Sequence, residues 1–123
     1  MNAYGSHHGI IATTMNDFPG YRVTSVLGLV RGITVRSSTF SQGLTRIFQL
    51  STYLGGRQET FVEMCEQARR EAYDDMVDHA RALGANAVLA VRYDATELGG
   101  GASSGMTEVL AYGTAVVVEP AQG

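Results

Sequence analysis

Glu71, Asp75 and His79 recur every fourth residue in "EAYDDMVDHA". On a helix that spacing puts two carboxylates and an imidazole along one face, a set that can hold a divalent cation. The competing reading is a solvated acidic helix face. His7 and His8 could add imidazoles, although a polar N-terminal tail is a poor scaffold for a site. A second candidate is "GGRQET", Gly55 to Thr60. Gly55 and Gly56 let an anion approach the free N–H groups of a following helix, and Arg57 adds a fixed cation. The same residues also suit a tight turn between two helices.

A third stretch, "ELGGGASSGM" from Glu97 to Met106, resembles a phosphate-cradling loop. It fails the dinucleotide pattern, because Ser104 stands where the third glycine belongs and a strand rather than a helix follows. It also lacks the lysine of a nucleotide-triphosphate loop. A hairpin tip accounts for it.

Composition removes further chemistry. All nine basic residues are arginines, so lysine Schiff bases and lysine general bases are absent. The single cysteine, Cys65, permits no internal disulfide and no Cys-x-x-Cys metal knuckle. It falls on an apolar helix stripe, the ordinary place for an inert buried thiol. No Ser/His/Asp triad and no distinguished carboxylate pair can be assembled, so no catalytic residue and no cofactor is expected. A net charge of −3 lacks the basic excess of a nucleic-acid binder. The apolar runs are far shorter than the ~20 residues of a membrane helix, and the N-terminus lacks the pattern of a signal peptide. A cytoplasmic protein is expected.

The elements that must position these residues can be read from the pattern. The 123 residues suit one domain, expected over residues 10–119, with tails at 1–9 and 120–123. "GIIATT" reads as a short edge strand and "NDFPG" as a turn. Tyr21 to Ser37 reads as one long strand holding Gly28 and Gly32. Phe40, Leu44, Ile47, Phe48 and Leu54 recur at helical spacing, which predicts a short helix ended by Gly55 and Gly56.

A long helix follows. Phe61, Cys65, Ala68, Ala72, Met76, Ala80 and Leu83 form its apolar stripe, and Thr60 with Glu63 forms a capping box. Glu66 and Arg70 stand at i,i+4. Gly84 is its left-handed stop. Asn86–Asp94 and Thr107–Glu119 read as strands. Their unbroken apolar runs, Ala87–Val91 and Ala115–Val118, point to burial on both faces. One long helix covers one face of a small sheet, so the second face calls for the short helix or another subunit. A homo-oligomer is therefore expected.

Several strings carry a family resemblance: the Gly-Gly-Arg before the long helix, "ALGANAV" after it, "AYGTAVVV" in the last strand and "PGYRVTSVLGLVRG" upstream. From Thr13 to Glu119 the chain resembles the YbjQ family, small bacterial and archaeal proteins with a heavy-metal-binding description. The resemblance implies an α+β subunit, an antiparallel sheet packed with one long and one short helix in a dodecin-like arrangement. It also implies a ring-shaped homopentamer; an unidentified small ligand or protein is a separate expected partner, with no nucleic acid and no membrane. Soft metals favour thiolate and imidazole, which this chain scarcely offers within one subunit. A ring could instead gather one carboxylate or histidine from each copy on its axis.

Overall fold

The computed structural model of the chain describes residues 9–36, 57–98 and 106–122. Four strands and one helix appear in the order β1 (Ile11–Ala12), β2 (Tyr21–Arg36), α1 (Arg57–Ala82), β3 (Ala87–Leu98) and β4 (Met106–Pro120). The strands form one sheet in the order β1-β3-β4-β2. The expected short helix lies outside the described residues, as do Gly55 and Gly56.

The sheet is mixed rather than wholly antiparallel. β2 and β3 both pair antiparallel to β4, whereas β1 pairs parallel to β3. Its backbone explains the exception: Ile11 N–H donates to Asn86 O and Thr13 N–H to Val88 O. The segment thus occupies the free edge of β3 where that strand begins. β1 then reverses into β2 through Phe18-Pro19-Gly20-Tyr21, where Tyr21 N–H donates to Phe18 O at 2.9 Å and Gly20 takes a positive φ. Proline second and a left-handed glycine third make a type II turn.

α1 packs mainly over β2 and β4 and touches β3 little. Among the described side chains Ala68, Ala72, Met76, Val77 and Ala80 are its buried residues. The sheet beneath is equally lean: Ala111, Gly113 and Ala115 of β4, with Val30, Gly32 and Thr34 of β2, face the helix and are buried. Small side chains on both partners let the backbones approach closely. At Gly32 a Cβ atom would press into the carbonyl of Ala72 and lie 2.7 Å from Cβ of Asp75. Only glycine fits there.

The helix ends as expected at Gly84, whose φ is 90°. Ala85 N–H donates to Ala80 O and Gly84 N–H to Arg81 O, the paired bonds of a Schellman cap. Leu83, expected on the apolar stripe, is instead 44% exposed. The chain is already unwinding there, so Leu83 no longer faces the sheet. Val77, outside the expected stripe, is fully buried. A flat sheet covers a wider arc of a helix than a single row of side chains.

Beyond the cap, Asn86 ties the start of β3 to the end of β4. Its side chain donates to Val118 O and accepts from Val118 N–H, both at 2.8 Å.

The apolar runs of β3 and β4 are buried on both faces. Val88, Val91, Ala111 and Ala115 join the helix-side core. Ala87, Leu89, Val116 and Val118 form a second cluster with Ile11 and Phe18, against which Tyr21 packs. Part of the second face is therefore covered by the chain's own Ile11 and Phe18. β3 and β4 pair as far as Leu98 with Met106, as a hairpin does; the glycine-rich residues 99–105 lie outside the described set.

Candidate functional site

The metal candidates do not converge. Glu71, Asp75 and His79 lie on one ridge of α1, but Glu71 and His79 are eight residues apart, about 12 Å along the axis at the ordinary rise. Among the described residues no group of three carboxylate, imidazole or thiol side chains is placed to hold a metal ion. The ridge runs beside β2. Asp75 sits over Gly32, and His79 Nδ1 accepts a 3.3 Å hydrogen bond from Arg31 N–H. Part of this row thus serves helix–strand packing. Cys65 is a free thiol of intermediate exposure.

Of the anion candidate, Arg57 is the first residue of α1, which places Gly55 and Gly56 immediately before the helix in sequence. The two glycines are outside the described residues.

Two features were not anticipated from sequence. One is an apolar row on β2. Two bulges, between Val23 and Ser25 and between Val26 and Gly28, shift the pairing with β4. Each inserts one unpaired residue and so resets which side chains point which way. Val23, Val26, Leu29, Ile33 and Val35 consequently stand opposite Val118, Val116, Thr114, Leu110 and Glu108. Cross-strand partners share a face, so all five project from the side away from α1. Val26 is 69% and Leu29 65% exposed, and the other three are exposed as well. β2 ends the sheet order, with β4 as its one strand neighbour among the described residues.

The other is a cleft of about 340 Å³ at the margin of the helix-covered face, where α1 leaves β3 uncovered. Glu66, Arg69, Arg70 and Tyr73 of α1 line it, and Tyr93 of β3 closes it. The helix residues follow the 3–4 spacing of one face. Tyr93 points the same way because it pairs with Ala111, which lies under the helix. Burial raises the Tyr73 phenol above its ordinary range, helped by the Asp74 carboxylate. Burial also raises Tyr93; Tyr73, Glu66 and Asp74 add to the effect and Arg69 opposes it. No sequence pattern joins Tyr73 to Tyr93, since only the packing of α1 on the sheet brings them together.

Comparison with known proteins places this arrangement. The model of the YbjQ family, whose description reads "Putative heavy-metal-binding", matches residues 10–119. The chain belongs to the YbjQ family. A UPF0145 protein of Chromobacterium violaceum is 49% identical over 117 residues, spanning 92% of each chain. A UPF0145 protein of Methanothermobacter thermautotrophicus is 47% identical over 114 residues, covering 93% of this chain and 95% of its own. Among solved structures, a Pediococcus pentosaceus protein of unknown function, described as belonging to the DUF74 family, superposes with a TM-score of 0.62. It is 16% identical and matches 91% of this chain and all of its own, a likeness of fold. Among the described residues no helix is long and apolar enough to cross a membrane.

Proposed function

We propose that this YbjQ-family chain is a non-enzymatic, ring-forming homo-oligomer, a pentamer, that serves as a binding or scaffold protein. The observation that carries the reading is the exposed apolar row on β2. Val23, Val26, Leu29, Ile33 and Val35 form an exposed apolar row on a terminal strand of the described sheet, interrupted by Arg31 between Leu29 and Ile33, and clustered exposed apolar surface with polar neighbours marks an interaction site. A second copy is the occupant we favour, since an outer strand also offers backbone N–H and C=O groups for pairing. Closed rings satisfy such heterologous contacts without leaving a free end. Arg92 and Asp94, opposite Tyr112 and Leu110 on the same face, supply the polar rim that interfaces usually carry.

Native mass spectrometry of tag-free protein tests the reading. A five-subunit species is expected, and a stable monomer at micromolar concentration overturns it. In Leu29→Glu a charge enters the middle of the strip, so the ring should fall to smaller species. The fold itself should change by no more than about 0.5 kcal/mol, the usual scale of an exposed substitution.

A metal-binding function is the second reading, favoured by the family description and by the i,i+4 spacing of Asp75 and His79. It requires ligands repeated around a ring. Calorimetric titration with zinc, copper and nickel should then saturate at a whole number of ions per ring, and a flat trace removes it.

A further inference from the structure

We propose that the cleft between α1 and β3 binds a small aromatic anion: one planar ring carrying a single carboxylate or phosphate group. Its lining specifies both halves of that description. Arg69 and Arg70 set two permanent guanidinium charges against the one carboxylate of Glu66. The Asp74 carboxylate, which acts on both tyrosines, adds a second negative charge beside the cleft, so the anion contact rests on the two guanidinium groups in the lining and not on a net positive field. A guanidinium fork matches the paired oxygens of carboxylate and phosphate. Tyr73 and Tyr93, one from the helix and one from the sheet, provide aromatic faces for a planar ring. Their raised phenols stay protonated at neutral pH, so they donate to an anion rather than repel it. Glu66 can accept from a hydroxyl or amino substituent on the ligand.

The volume sets the size. A cleft of about 340 Å³ lies at the small end of ligand sites, room for one ring system with its charged group. The site is separate from the β2 strip, which occupies the other face of the sheet, and the inference does not depend on ring formation. It also differs from the Gly55–Arg57 candidate, which precedes the helix in sequence.

Calorimetry on the full chain with phenyl phosphate and benzoate tests the proposal. Inorganic phosphate and cyclohexanecarboxylate serve as controls for the two halves of the ligand. At least one aromatic anion should saturate at or below about 10 mM, with each matched control weaker. Arg69→Ala combined with Arg70→Ala should weaken it about tenfold or more, the scale of a charge-assisted contact. Tyr93→Leu should weaken it several-fold, whereas Tyr93→Phe, which keeps the ring, should lose less. Arg69→Gln, which preserves most of the side-chain stem, stands in if the double variant fails to fold.

Three results overturn the proposal: no saturable binding of either aromatic anion, equal binding of the non-aromatic controls, or affinity that the Arg and Tyr substitutions leave unchanged. The two aromatic probes also distinguish a carboxylate ligand from a phosphate ester.

Discussion

The two faces of the sheet use the same strands for opposite ends. Toward α1, β2 and β4 present Val30, Gly32, Thr34, Ala111, Gly113 and Ala115, small or buried throughout. Away from α1, β2 presents Val23, Val26, Leu29, Ile33 and Val35, all branched aliphatic residues and all exposed. If both faces served only the core, the larger side chains would belong on the buried side. The difference teaches that the covered face is built for close approach of backbones, while the open face carries the exposed row on which the proposed subunit contact depends. At the β1 end the open face is already closed by Phe18 and Ile11, so among the described residues the strip begins where that cover stops.

Gly32→Val should break the covered face most severely. Its branched side chain would have to enter the backbone of α1 at Ala72 and Met76, where neither can yield as a flexible side-chain tip does. A loss of about 3 kcal/mol or more is expected, at the upper end of overpacking effects, measured by urea denaturation. An equally stable variant would mean that α1 does not rest on β2 at this point. Leu29→Glu, three residues away on the open face, sharpens the contrast, because it should spare the fold while changing the subunit count.

Gly84→Val attacks the cover at its end. The left-handed φ of Gly84 costs a β-branched residue about 1 kcal/mol or more. Both bonds of the cap depend on that geometry. Thermal melting should show the loss, and an unchanged melting temperature would contradict the cap.

The margin of the covered face can be read by pH. Burial raises both Tyr73 and Tyr93, so the unfolded chain releases these protons first as pH climbs past about 10. The folded state then holds more protons than the unfolded one, and stability falls with rising pH. Their contribution is therefore complete below about pH 10 and is lost as pH rises through the folded values. Denaturation of wild type and of Tyr73→Phe between neutral and alkaline pH checks the sign: the variant should show a shallower alkaline decline. A decline of equal steepness would place Tyr73 outside the buried margin.

Much of this contrast was legible in the sequence, and what was hidden has a physical cause. Ala68, Ala72, Met76 and Ala80 at helical spacing gave away the covered side of α1, and Gly84 its end. The apolar runs of β3 and β4 announced burial on two faces, although not that Phe18 and Ile11 supply the second cover. The open strip on β2 stayed hidden because two bulges interrupt the alternation of inward and outward residues. A period-two reading then scatters Val23, Val26 and Leu29 over both faces. The parallel pairing of β1 rests on backbone bonds that side-chain patterns do not encode. The cleft joins Tyr73 to Tyr93 through packing alone.

Ala90 offers the finest comparison between the faces. It stands in the irregular stretch between Leu89 and Arg92, with φ at 57°. That left-handed conformation is uncommon for a residue with a Cβ. The strain moves the strand from Leu89, in the cluster with Phe18, to Val91, in the core beneath α1. The displaced backbone is caught by the first segment of the chain, since Ala90 N–H donates to Met15 O and Val91 N–H to Thr13 O. Ala90→Gly would relieve the backbone strain but free the unfolded chain as well. The two effects oppose each other, so the net change should be small, within about 1 kcal/mol and on the stabilising side if strain dominates. A clear destabilisation in urea would show instead that the methyl group of Ala90, packed against the Phe18 cluster, matters more than the backbone conformation it forces.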